Sequence, residues 1–123
     1  MADVPEHRAE PVIIDVPGGK LIAEHVGRVA TGTEAMSVAH MRAPAGWSEP
    51  AQRPDFDEVT LVVSGEVLVE HDDATTRVTA GQSIVTRAGE RVRYSTGPDG
   101  AEYVAVCTPA FSPGTVHREE EAG

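Results

Sequence analysis

The sequence predicts an all-β domain, built as a small sandwich or closed barrel, and three observations support this prediction. The 12 glycines and 9 prolines divide the chain into short apolar runs. No long stretch keeps the apolar period that an amphipathic helix requires. The runs recur at regular spacing with turn residues between them, which is typical of sandwiches and barrels.

The candidate strands follow one another along the whole chain. In chain order they are Val12 to Val16, Leu21 to Val29, Ala35 to Arg42, Glu58 to Val63, Glu66 to His71, Arg77 to Thr79, Ser83 to Arg87, Arg91 to Ser95 and Ala101 to Cys107. The turn clusters "PGG" at 17–19, "DDAT" at 72–75 and "TGPDG" at 96–100 separate several of them. Aromatic residues make up only 4% of the chain, so we expect an aliphatic core.

The length of 123 residues fits a single domain. We expect a mobile N-terminal arm over residues 1–11, the β-barrel over 12–117 and an acidic C-terminal tail over 118–123. A small antiparallel barrel leaves a sheet face and strand edges to be covered, so we also expect a homodimer. The strand from Val12 to Val16 is available to pair across its interface.

Charge and cysteine content exclude several functions. The chain has 20 acidic and 10 basic residues, and its net charge of −10 repels nucleic acids and anionic membranes. Cys107 is the only cysteine, which excludes an intrachain disulfide and fits a reducing compartment. The start "MADVPEHRAEP" lacks the apolar core of a secretory signal, and no apolar run approaches the length of a membrane span. We therefore expect a cytoplasmic protein.

Two stretches carry a spacing that resembles the two motifs of the cupin family. The first, "GWSEPAQRPDFDEVTLVVSG", has Gly46, Gln52, Pro54, Glu58 and Gly65 at the motif positions. The second, "GQSIVTRAGERVRYST", has Gly81, Arg87, Gly89, Val92 and Thr96. The resemblance covers Gly46 to Cys107, and it implies a single-domain cupin-type barrel or jelly roll.

The metal ligands of the family are mostly missing from these motifs. Of the usual four ligands, the resemblance leaves only Glu58, because Gln52, Pro54 and Val92 stand where histidines are expected. In this the chain is similar to cupins without the histidines, such as the EutQ-type proteins. Proline and valine offer no side-chain donor, so we predict no metal and no other cofactor. An unconventional site of His40, Gln52 and Glu58 is the alternative.

Strand alternation predicts what lines the barrel cavity. If Glu58 points inward, Thr60 and Val62 do so too, and if Val92 points inward, so does Tyr94. Gln52 should face the same space, whereas the direction of His40 is open.

We expect a metal-independent enzyme that transfers protons on a small organic molecule, as an isomerase, lyase, dehydratase or cyclase. Glu58 is the candidate acid or base, with Tyr94 and His40 as further catalytic candidates. The candidate substrate-binding residues are Gln52, Thr60, Val62, Val92 and Trp47, where Trp47 covers the cavity or packs at a dimer interface. The alternative is a non-catalytic module that binds a ligand or serves a structural role. An open cavity with an unpaired Glu58 favours the enzyme, and a filled barrel with Glu58 bonded to backbone favours the module.

Overall fold

A computed structural model describes residues 5–119, and its strands account for all of its regular secondary structure. The strands are β1 (Val12–Asp15), β2 (Leu21–Val26), β3 (Ser37–Ala43), β4 (Asp57–His71), β5 (Ala74–Thr79), β6 (Ser83–Thr86) and β7 (Val92–Thr108). Every pairing between them is antiparallel, in the order β1-β2-β3-β7-β4-β5 with β6 also on β4. The all-β prediction is therefore confirmed. None of the described residues belongs to a helix that could cross a membrane.

Strands β4 and β7 are longer than the sequence predicted. Each joins two predicted strands into one, so the "TGPDG" cluster at 96–100 is an irregularity inside β7 and not a turn between strands. Gly65 pairs with Ala101 and Val67 with Thr96, which leaves residues 97–100 of β7 opposite Glu66 alone. The glycines that suggested strand ends therefore mark a bulge.

Gly65 shows why this bulge needs glycine. It has a φ of 76°, and a Cβ added there would lie 2.1 Å from the carbonyl oxygen of Gly100. Only glycine combines this left-handed backbone with so close an approach of a second chain segment. Beyond the bulge, β4 and β7 remain paired with each other, and β4 pairs with β5 instead of β6.

The bulge divides the strands into two layers. In the first layer, Asp57–Gly65 of β4 and Ala101–Thr108 of β7 lie beside β1, β2, β3 and β6. In the second layer, the distal half of β4 pairs with β5 and with the first half of β7. The core between the layers is largely aliphatic, as predicted, and includes Val62, Val67, Val69, Val78 and Val92.

The chain ends differ from the predicted boundaries. Strand β1 pairs with β2 of the same chain and forms an edge of the sheet. Arg118, assigned to the tail by sequence, forms a β-bridge with Gln52, and the Glu119 amide donates to Ala51 O at 2.8 Å. The barrel thus includes residues 118 and 119. The rest of the predicted arm and tail, residues 1–4 and 120–123, lies outside the described residues.

The outer face of the first layer carries a row of valines. In register across β3, β7, β4 and β6, the row consists of Val38, Val106, Val59 and Val85. Leu61 and Val63 extend it along β4, and they are 46% and 50% exposed. We call these residues, together with Val104, the outer valine face.

Candidate functional site

A cavity of about 500 Å³ lies inside the barrel. Its apolar wall comes from the sheet interior and from two segments next to it; the residues are Ile14, Val16, Ile22, Ala39, Met41, Ala105, Phe111 and Val116. Its polar and titratable wall comprises Asp15, Lys20, Glu24, Ser37, Glu49, Gln52, Glu58, Tyr94, Tyr103, Cys107, His117 and Arg118. The volume is within the range of about 300–1,000 Å³ found for small-molecule sites.

A row of polar side chains crosses the sheet at this wall. Strand pairing aligns Ser37 with Cys107, Cys107 with Glu58, and Glu58 with Thr86. Side chains at directly paired positions share one face of a sheet, so all four point into the barrel. The row runs parallel to the outer valine row and is displaced from it by one residue, toward lower numbers on β3 and β4 and toward higher numbers on β7 and β6.

Glu58 is at the centre of the row. Its Oε2 accepts a hydrogen bond from Thr60 Oγ1 at 3.4 Å, and its Oε1 accepts a weak one from the Cys107 thiol at 3.7 Å. Burial raises the pKa of the Glu58 carboxyl to about 7, against the opposing attraction of Lys20. The carboxyl thus exchanges a proton near neutral pH.

Two tyrosines flank the carboxyl. The Tyr94 hydroxyl is 2.9 Å from Thr86 Oγ1, and Tyr103 lines the wall nearby. Burial, and next the negative charge of Glu58, raises the pKa of Tyr94 above its usual range; burial also raises that of Tyr103. Both phenols therefore stay protonated at neutral pH and can donate hydrogen bonds to a ligand.

Arg118 holds the polar groups together at another part of the wall. Its guanidinium is 3.3 Å from Glu49 Oε2, and its Nε donates to Gln52 Oε1 at 3.4 Å. Gln52 is fixed further by two backbone hydrogen bonds with Val92, of 2.8 and 2.9 Å. The amide that the sequence predicted at the cavity is therefore present and oriented by an arginine.

Lys20 follows the turn between β1 and β2 and reaches the same cavity. Its Nζ lies 4.4 Å from the ring centroid of Trp47 and 5.6 Å from that of Tyr103. Burial lowers the pKa of Lys20, while Glu49 and Glu58 oppose this change. The cavity thus contains a cation packed on aromatic rings.

Glu24 also lines the cavity, but its hydrogen-bond partners are backbone amides. Its Oε2 accepts hydrogen bonds from the amides of Val29 and Ala30 at 3.0 and 2.7 Å. These contacts stabilise the loop that follows β2.

The predicted cavity residues divide into two groups. Glu58, Gln52 and Tyr94 lie on the wall, as alternation and spacing predicted. Thr60, Val62 and Val92 point inward too, but they are at most 1% exposed and pack in the core behind the wall. Among these three, Thr60 contacts the site through its hydrogen bond to Glu58.

His40 is not in the cavity. Its neighbours Ala39 and Met41 line the wall, so alternation along β3 turns His40 to the outer face. There its Nε2 is 2.6 Å from Glu102 Oε2. The assignment of His40 as a catalytic candidate is therefore corrected, and with it the alternative metal site of His40, Gln52 and Glu58.

Trp47 neither covers the cavity nor lies on the surface. It is 7% exposed, belongs to the main core cluster, and its amide donates to Thr96 Oγ1 at 3.0 Å. Its role at the site is indirect, because its ring supports Lys20. The sequence could not show this, since a loop tryptophan has no alternation to orient it.

The sequence reasoning missed Lys20, Glu49 and Arg118. One signal was available for Lys20, which is the only lysine in the chain. Glu49 and Arg118 meet only because the C-terminal segment returns to Gln52, a contact between distant parts of the chain. Arg87, Arg91 and Arg93 instead pair outside the cavity with Asp57, Glu119 and Glu70.

The positions of the expected metal ligands offer few donors. Gln52 is bonded to Arg118, whereas Pro54 and Val92 have no side-chain donor atom. Within residues 5–119, no group of three or more His, Cys, Asp or Glu side chains could hold a metal ion. The donor set does not fit a typical transition-metal site.

A jelly-roll barrel with this cavity and these motif positions defines a cupin. The family model of the cupin domain matches residues 39–107, more than half of the chain, and the chain belongs to the cupin family. The resemblance drawn from the two motifs is confirmed.

One curated relative is similar over most of the chain. It is the endoribonuclease YbeY of Myxococcus xanthus, 47% identical over 102 residues that cover 82% of this chain and 35% of that protein. This chain thus spans about a third of the length of the relative it matches.

Solved structures share the fold at low identity. A structure of Streptomyces PAC13 with uridine has a TM-score of 0.76 at 14% identity, covering 100% of this chain and 95% of that one. An ethanolamine utilization protein Q, EutQ, of Salmonella typhimurium has a TM-score of 0.60 at 22% identity, covering 75% and 71%. These similarities support the fold and not a shared reaction.

Proposed function

We propose that this cupin is an enzyme that transfers protons on a small organic molecule in its cavity, as an isomerase, lyase, dehydratase or cyclase, without a metal. The observation that carries the proposal is the state of Glu58 in an open cavity. Its two hydrogen-bond donors are the Thr60 hydroxyl and the Cys107 thiol, at 3.4 and 3.7 Å, and neither is a backbone amide. A carboxyl needed only for the fold would be expected to bond to the barrel backbone, as Glu24 does.

Five side chains on the wall have a role in the proposed chemistry. Glu58, with a pKa of about 7, gives up or accepts the proton, because an acid or base works best when its pKa is near the working pH. The neutral phenols of Tyr94 and Tyr103 donate hydrogen bonds to a substrate oxygen. Gln52, held by Arg118, orients the substrate.

The experiment is turnover against pH for the wild type and for Glu58→Gln, once a substrate is found. Glutamine has nearly the same shape and cannot exchange the proton, so turnover should fall by about a hundredfold or more. Melting temperature serves as the folding control, and Glu24→Gln is the matched change at a structural carboxyl. Unchanged turnover in folded Glu58→Gln protein would remove Glu58 from the mechanism.

Metal independence needs a separate measurement. Untagged protein, dialysed without chelator, should contain far less than one transition-metal ion per chain by elemental analysis, because Pro54 and Val92 replace ligands. Nearly one bound zinc, iron, manganese, nickel or copper per chain would contradict this part of the proposal.

A non-catalytic module is the second candidate, and one observation favours it. A sequence 47% identical to this one makes up 35% of a protein described as the endoribonuclease YbeY, which suggests a domain attached to another activity. We do not transfer RNA cleavage to this chain, because the net charge of −10 opposes RNA binding. A binding module would retain ligand affinity in both variants and show no turnover with any bound compound.

A further inference from the structure

Lys20 differs from the cations of this chain that form ion pairs. Arg77 and Arg118, for example, lie 2.6 and 3.3 Å from Glu66 and Glu49. In the described part of the chain, the ion pairs within 4.0 Å do not include Lys20, although it faces the cavity. Its ammonium packs on two aromatic rings instead.

The carboxyls that line the cavity are those of Asp15, Glu24, Glu49 and Glu58, and in the described part of the chain none of them forms an ion pair with Lys20. Glu49 is bound by Arg118, and Glu24 is bonded to two backbone amides. Glu58 carries a proton for part of the time near neutral pH, since its pKa is about 7. Lys20 is partly buried, and a partly buried cation without a close anion loses hydration at a cost that contacts with aromatic rings offset only in part.

We propose that Lys20 binds the carboxylate of a small monoanionic ligand whose apolar body fills the rest of the cavity. This inference rests on the proposed function and names its substrate class. The apolar wall of Ile14, Ile22, Met41, Phe111 and Val116 suits a hydrocarbon or aromatic body. The wall of the same cavity contains Glu58, so a ligand held at Lys20 occupies the space that the candidate acid or base faces.

The same charges select against other ligands. A dianionic phosphate would lie near Glu49 and Glu58, and among the described residues that line the cavity only Lys20 is a cation outside an ion pair that could balance it. An amine would be repelled by Lys20 and Arg118 and would have to displace Arg118 from Glu49. A monocarboxylate matches the charge of the Lys20 ammonium, which forms no ion pair in the described part of the chain, and a charge-assisted hydrogen bond between them is strong in a partly buried site.

Trp47 provides a direct readout. It is the only tryptophan in the chain, and the Lys20 ammonium lies 4.4 Å from its ring centroid, so a ligand at Lys20 should change its fluorescence. We would titrate the wild type with benzoate and hexanoate, with the neutral benzamide and hexanamide, and with benzylamine. The carboxylates should bind at least about tenfold more tightly than their amides, with binding heats from calorimetry as a second measure.

Two variants of Lys20 and one control variant test the role of Lys20. Lys20→Met should weaken carboxylate binding at least about tenfold by calorimetry, whereas Lys20→Arg should retain most of it because the charge remains. Arg42→Met makes the same charge change at an exposed outer position and should have no effect. Melting temperatures check folding, and Lys20→Arg keeps the test valid if Lys20→Met does not fold.

Several results would overturn the proposal. One is equal affinity for carboxylates and for their amides, and another is full carboxylate affinity in folded Lys20→Met protein. A third is the absence of carboxylate binding at about 10 mM ligand, a concentration at which a site with a millimolar Kd is mostly filled. Glu58→Gln should still bind carboxylates. Loss of the carboxylate preference would therefore reject only the role of Lys20, and unchanged turnover in Glu58→Gln would reject only the acid-base role of Glu58.

Discussion

The thiol of Cys107 lies 3.7 Å from Oε1 of Glu58, because the two residues are directly paired on adjacent strands. Burial, and then the charge of Glu58, raises the pKa of this thiol well above its usual range. The pair therefore places a proton-bearing sulfur beside the candidate acid or base.

This contact predicts slow alkylation of Cys107. The thiolate is the reactive form, so iodoacetamide should modify the native protein slowly at pH 8 and the denatured protein quickly. Glu58→Gln removes the repulsion and should speed the native reaction severalfold, as followed by mass spectrometry. Asp15→Asn, which changes another cavity carboxyl, is the control. Equal rates in wild type and Glu58→Gln would contradict the coupling.

Glu58 should also make stability depend on pH. The raised pKa, about 7 against an ordinary 4.5, means that the folded protein holds this proton more tightly, so the Glu58 contribution to stability falls as pH rises from about 4.5 to 7. Glutamine does not titrate. We expect Glu58→Gln to melt close to the wild type below pH 4.5 and several degrees higher above pH 7, a gain of up to about 3 kcal/mol.

Thermal melts from pH 4 to 8 measure this difference. Glu10→Gln changes the same charge at an exposed position and should follow the wild type at every pH. A melting-temperature difference for Glu58→Gln that stays constant with pH would contradict the raised pKa.

Gly65 and Gly81 have similar backbone angles but different surroundings, so alanine substitutions at the two positions distinguish backbone strain from steric overlap. Gly65 and Gly81 have φ values of 76° and 83°, but only at Gly65 would an added Cβ meet a neighbour, the Gly100 carbonyl, whereas at Gly81 nothing lies within 4 Å. Gly81→Ala should cost about 1–2 kcal/mol for the left-handed conformation. Gly65→Ala should lower the free energy of unfolding, measured with urea, by clearly more than this, or should prevent folding. Equal costs would show that the bulge adapts.

We propose that the outer valine face is covered by a second copy of the chain. Val59, Leu61, Val63 and Val85 are 38–50% exposed there. The face is bordered by the mixed-charge pairs Arg42 with Glu102 and Arg87 with Asp57, so two copies can meet without local repulsion. Strand β1 is the edge of the sheet, so pairing of this strand across an interface is the alternative arrangement.

Light scattering after size exclusion should give twice the chain mass of 13.0 kDa. Leu61→Glu should shift the protein to the monomer, because it introduces a charge into the apolar face. Val29→Glu, at a position 63% exposed in a loop, should remain dimeric. A wild-type monomer at all concentrations would reject the interface.

Local pattern predicted the strands and the direction of many side chains. Glu58 and Tyr94 could be oriented because each lies in a run of alternating residues with a motif position as reference. His40 had no such reference, and its direction became clear only from the pairing of β3 with β7. Lys20 and Arg118 could not be placed at the cavity, because long-range contacts bring them there.

The cavity wall comes partly from the central strands and partly from two flanking segments. Some residues that select a ligand are therefore different from the residues that stabilise the barrel. Residues 14–16 and 111–118 contribute wall from outside the central strands, while Val62, Val67, Val69 and Val92 form the core elsewhere. Ile14, Val16 and Pro113 line the cavity and belong to neither buried cluster, so substitutions there can change cavity size and shape without leaving a void in the core. Phe111 and Val116, in contrast, pack with Phe56 and Cys107 in a second buried cluster. A laboratory library limited to positions 14, 16 and 113 should yield mostly folded variants with different ligand preferences, and natural divergence has the same route open to it.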